Sequence, residues 1–103
     1  MLVVMEDIVE IGIDNKEHLY LMPSTSSFPM IYREAAGVHW DQRRRVLVGQ
    51  QNREWGYPKW FTHICNLVSK TGCQLQLTET TRWVNITCEL RSSIIQAHSK
   101  LRT

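Results

Sequence analysis

The feature that most constrains this chain is the stretch from Pro58 to Gly72, where Trp60, Phe61, Ile64, Cys65, Leu67 and Val68 recur at helical spacing. Proline suits the first helical position, where its missing N–H would have no partner anyway. Glycine suits the residue just past the end, where the left-handed backbone carries no Cβ strain. Lys59, Thr62, His63, Asn66 and Lys70 occupy the opposite side. An apolar stripe of this width needs a cover, and the rest of the chain must supply it.

The cover reads as strands. Ile8 to Ile13 alternates, with Val9, Ile11 and Ile13 against Glu10 and Gly12. Asp14-Asn15-Lys16-Glu17 then breaks the pattern, and His18 to Met22 resumes it until Pro23, which gives a first hairpin. Ser24 to Ser27 is a polar connector closed by Phe28-Pro29. Met30 to Trp40 reads as a strand with a bulge at Ala35-Ala36-Gly37. Asp41 to Arg44 supplies turn chemistry, and Arg45 to Gly49 returns with Val46 and Val48 opposite Arg45 and Leu47. Gln50 to Gly56 is a polar loop leading into the helix. Beyond the helix, Cys73 to Thr78 and Arg82 to Ile86 alternate. Thr87 suits the N-cap of a second helix whose stripe is Leu90, Ile94, Ala97 and Leu101. The predicted order is ββββαβ(β)α. It describes a single α+β domain over residues 1–103, with a mostly antiparallel sheet of five or six strands, both helices packed on one face and the other face partly open.

Composition narrows the function more than it identifies it. A formal charge of +2 falls short of the basic balance of a dedicated nucleic-acid binder. The charge is uneven, however: Glu6, Asp7, Glu10, Asp14 and Glu17 stand against Lys16 alone in the first 17 residues, so this acidic strand is expected to lie near the arginines. The opening residues have neither a basic n-region nor an apolar run long enough for a membrane span, and a cytoplasmic protein is expected. Cys65, Cys73 and Cys88 are an odd number without Cys-x-x-Cys spacing. They read as reduced thiols packed as small hydrophobes, with neither disulfide nor zinc.

No glycine-rich phosphate loop, nucleophile elbow or metal-ligand helix motif is present, so no catalytic residue, cofactor or metal is assigned and a non-enzymatic role is expected. His39 and Asp41 share a strand face only if the extended backbone continues through Asp41, which the turn reading opposes. His63 and Cys65 point apart on a helix, and His18 and His98 read as solvated side chains. What remains is density. Phe28 to Phe61 holds seven of the nine aromatic residues and half of the twelve lysines and arginines. The expected site is built on Tyr32, His39, Trp40, Trp55 and Tyr57 and flanked by Arg33, Arg44 and Arg53. Rings would supply apolar area, and guanidinium groups would orient a small anionic or planar ligand or a protein partner. Self-association as a homodimer is a further expectation. A nucleic-acid surface at Arg43–Arg45 and an immunity or antitoxin-like interaction module are the alternative readings.

Phe28-Pro29-Met30-Ile31-Tyr32-Arg33, Val38-His39-Trp40-Asp41 and Arg53-Glu54-Trp55, followed by Tyr57 and Trp60-Phe61, resemble small proteins carried on integron gene cassettes, over roughly residues 8 to 86. The resemblance implies a small cytoplasmic bacterial α+β protein with an accessory role, often oligomeric. It carries over no catalytic residues.

Overall fold

The computed structural model describes residues 4–29, 31, 37–49 and 56–101. Its elements run β1 (Val4–Ile13), β2 (Leu19–Pro23), β3 (Val38–Asp41), β4 (Val46–Gly49), α1 (Tyr57–Ser69), β5 (Cys73–Gln76), β6 (Arg82–Val84) and α2 (Cys88–Leu101), the order read from the sequence. They form an α+β fold with one six-stranded sheet in the order β3-β4-β2-β1-β5, with β6 also paired to β1.

Pairing is antiparallel for β1 with β2, β2 with β4 and β3 with β4, and parallel for β1 with both β5 and β6. The sheet is therefore mixed, and the parallel part follows from the first helix. β4 and β5 run in the same direction with β2 and β1 between them, so the chain must cross one face of the sheet to join them. Helix α1 is that crossover. It starts beside Pro58 as expected, and Gly72, at φ +88°, turns the chain into β5. α2 packs mainly on α1. Its start is capped by Thr87, whose Oγ1 accepts the Leu90 N–H at 3.1 Å.

The core lies between the sheet and α1. Ile11, Leu19, Leu21, Val38, Leu47 and Leu75 meet Trp60, Phe61, Ile64, Leu67 and Val68, and Ile94 of α2 joins the same cluster. Strict alternation would not put both Ile8 and Ile11 on that face, yet both are fully buried. A bulge reconciles them: Ile8 lies opposite Pro23 and Glu10 opposite Met22, so Val9 is an extra residue that resets the phase. β5 and β6 are interrupted beside this bulge, where the Thr81 hydroxyl donates to the Ile8 carbonyl. β1 begins at Val4, earlier than the alternation from Ile8 suggests.

Four residues differ from their expected environments. His98 is buried: Leu77 N–H donates to its Nε2 at 3.3 Å and its ring meets Phe61 edge-on, because α2 turns this side inward beside Ile94. Cys88 is exposed at the start of α2, whereas Cys65 and Cys73 are buried; all three are free thiols. Burial pushes the Cys65 thiol up to about 12, the behaviour of an inert packing residue. Val46 and Val48 are buried on the outer sheet face, where they join Tyr20 and Met22, and Leu47 takes the core position.

Candidate functional site: a polar trough on the outer sheet face

Register places His39 and Asp41 of β3 beside Val48 and Val46 of β4, and Val48 beside Tyr20 of β2, all on the face away from α1. Asp41 is the last strand residue, so it shares this face with His39 after all. The two hairpin turns lie at opposite ends of the face, and each is closed by an aspartate at its start. Asp14 Oδ1 accepts the N–H groups of Lys16 and His18, both at 2.9 Å. Asp41 Oδ1 accepts those of Arg43 at 3.0 Å and Arg44 at 3.1 Å. Each turn then ends through a left-handed residue, Glu17 at φ 65° and Arg45 at φ 58°.

Arg44 spans the distance between the turns. Its Nε lies 2.8 Å from Asp41 Oδ2, its Nη2 lies 3.5 Å from Asp14 Oδ2, and its guanidinium carbon sits 5.8 Å from the centre of the Tyr20 ring. Burial alone would raise the Asp14 carboxyl, but its two backbone donors, with His18 and Arg44 nearby, hold it below the usual carboxylate range. Asp41 is lowered first by the Arg44 hydrogen bond, and the Arg44 guanidinium is held still more firmly in its charged form. Between these groups lies a cavity of about 390 Å³ lined by Asp14, Lys16, His18, His39, Arg43 and Arg44 among others, with Val48 as its apolar floor.

The network continues across the sheet. Tyr20 Oη donates to Glu10 at 2.8 Å, and Arg82 pairs with Glu10 at 3.1 Å. The Tyr20 ring crosses directly over Gly12, where a Cβ would sit 2.6 Å from Oη. Burial, and then the bond to Glu10, push the Tyr20 hydroxyl up to about 12, so it remains a donor. The acidic first strand thus lies beside arginines, as its charge pattern suggested.

The expected site residues divide between the two faces. His39 and Arg44 come together in the trough. Trp40 alternates to the core side, half-buried, with its ring edge-on to Phe28 and its Nε1 donating to Gln42 at 2.9 Å. Tyr57 is half-buried at the start of α1, and its hydroxyl donates to the Glu17 carbonyl at 2.9 Å, which ties the helix to the first turn. Tyr32, Arg33, Arg53 and Trp55 lie outside the described residues. Asp14, Lys16 and His18, which also line the trough, were not among the expected site residues, and Arg43 entered only through the nucleic-acid alternative. The signal for them was the recurrence of an aspartate at the head of two turns that each carry a basic side chain.

One further polar feature lies at the other end of β1. Glu6 is only 2% exposed, and its carboxylate accepts hydrogen bonds from Ser24, Thr25 and Ser26. Burial would raise it, but these donors outweigh burial and bring it from 4.5 down to about 2. A cavity of about 460 Å³ adjoins this loop, lined mainly by Val4, Phe28, Pro29, Ile31 and Cys73. Of its polar lining residues, Ser26 donates to Glu6 and Thr71 to the Val68 carbonyl. No group of three or more metal-ligating side chains is assembled among the described residues, and no helix among them is long and apolar enough to cross a membrane.

Fold and trough together define a small α+β protein with a polar depression on its exposed sheet face. The family model of integron cassette protein Hfx_Cass5 matches residues 6–81. The solved structure of integron cassette protein Hfx_Cass5, from the mobile metagenome of North West Arm Sewage Outfall, is 38% identical over 91% of this chain and 95% of its own, at a TM-score of 0.45. The chain belongs to the Hfx_Cass5 family of integron cassette proteins, on the strength of the sequence match. Among curated proteins none matches.

Proposed function

We infer that this cassette protein is a non-enzymatic binding module that holds a small anionic or planar ligand in the trough between its two hairpin turns. One observation carries the reading. Both aspartates of the trough are tied to internal donors and share Arg44, so that with Lys16 and Arg43 the lining carries a formal charge of +1 despite its two carboxylates. Lys16, His18, His39 and Arg43 are left to face the cavity. Its volume of about 390 Å³ falls within the ordinary range of small-molecule pockets.

Mapping amide chemical shifts while titrating a panel of small anionic and planar molecules tests this. Saturable changes confined to residues 14–18, 39–44 and 48 are expected. Changes scattered over the surface, or centred on the groove between α1 and α2, would remove the reading.

A further inference from the structure

We propose that the trough recognises a phosphoryl dianion, carried as a phosphate monoester on a small molecule; this rests on reading the trough as a ligand site. The first reason is charge. Lys16, Arg43 and Arg44 line the cavity against Asp14 and Asp41, and Arg44 is engaged by both carboxylates. Three cations against two carboxylates leave the lining with a formal charge of +1, and Lys16 and Arg43 are the cations that carry no ion pair with either aspartate.

The second reason is the direction of the donors. Lys16 and His18 come from the β1–β2 turn, His39 from β3 and Arg43 from the β3–β4 turn, so they surround the space from three segments of chain. A planar carboxylate presents two oxygens in one plane, whereas the three terminal oxygens of a phosphoryl group splay outward and can meet donors on several walls. An imidazole supplies an N–H donor in its neutral form as well as its charged one, so His18 and His39 can serve in either state.

The third reason is the frame. The Asp14 and Asp41 bonds fix the backbone of both turns, and Arg44 braces one turn against the other, so the donors need little ordering when the ligand arrives. Val48 closes the floor with apolar surface, which strengthens charge interactions above it. A bare ion would leave most of the volume unfilled, which favours a monoester.

The test is titration at constant ionic strength with inorganic phosphate, with glucose 6-phosphate and with succinate, read by amide shifts and by calorimetry. Both phosphate probes should perturb residues 16, 18, 39 and 43 saturably, glucose 6-phosphate at the lower concentration. Lys16→Gln combined with Arg43→Gln should weaken both by at least about tenfold, with an unchanged circular dichroism spectrum. Arg43→Lys should restore only part, because it keeps the charge without the fork. If succinate binds the trough as tightly as glucose 6-phosphate, the phosphoryl assignment is overturned and the binding reading stands. If no probe, charged or planar, perturbs the trough, both fall.

Discussion

The two faces of the sheet solve the same problem by different means. On the α1 side, side chains are covered by other apolar side chains, and Phe61, Ile64 and Val68 have no exposed surface. On the outer side Val46 and Val48 are about as deeply buried, yet neither described helix covers them; they pack with Tyr20 and Met22, and Arg44 lies over the Tyr20 ring. The inner face needs only apolar volume at the right period. The outer face needs particular polar partners at particular distances, and it is on that face that the polar trough of the proposed site lies.

This contrast can be strained by substitution, and the largest effect is expected inside. Phe61→Ala should lower stability by about 4 kcal/mol, the range for truncating a fully buried aromatic, measured by urea unfolding. A loss below about 1 kcal/mol would mean that the α1 face is not the stabilising core.

Glu6 comes next, because it is a polar solution placed on the inner side, beside Leu75 in the sheet register. Glu6→Gln should cost about 3 kcal/mol, since an amide cannot satisfy all the donors converging from Ser24, Thr25 and Ser26. Its pH dependence has a definite sign. The folded carboxyl titrates near 2 and the unfolded one near 4.5, so on acidification the unfolded state takes up the proton first. About 3 kcal/mol of stability, complete above pH 4.5, should be lost as pH falls towards 2. The Gln variant should lack this component of acid sensitivity, and an unaltered acid profile would contradict the geometry around Glu6.

Gly12→Ala probes the outer face with a smaller expected loss of about 2 kcal/mol, because a Cβ there collides with the Tyr20 ring and forces it off Glu10. The same variant should alter the aromatic shifts of Tyr20 while leaving those of Phe61 in place. An unperturbed Tyr20 would show that its ring does not cross β1.

Legibility from sequence follows the same division. The element order, the limits of α1 and the Thr87 cap were readable because apolar period, proline, glycine and hydroxyl signals act locally. The parallel pairing of β5 and β6 with β1 was not readable, since it depends on which way α1 carries the chain across the sheet. The Val9 bulge was hidden for a related reason: alternation within β1 looks regular, and only its partner reveals the extra residue. His98 looked like a solvated side chain because its partner is 21 residues away, and the burial of Glu6 was not legible because its donors lie 18 to 20 residues on. Of the expected site residues His39 and Arg44 line the trough, and the separation of Trp40 from them follows from strand alternation once β3 is fixed in register.

The most direct measurement is the shift in thermal unfolding midpoint produced by glucose 6-phosphate at fixed ionic strength, in the parent chain and in Lys16→Gln/Arg43→Gln. A ligand that binds only the folded state stabilises it by RT ln(1 + L/Kd), where L is its free concentration, and so raises the midpoint as L exceeds Kd. The account predicts equal midpoints for the two proteins without ligand, a rise with ligand in the parent and a much smaller one in the variant at the same concentration. An equal rise in both, or a ligand-free variant as destabilised as Phe61→Ala, would contradict the assignment of folding to one face and binding to the other.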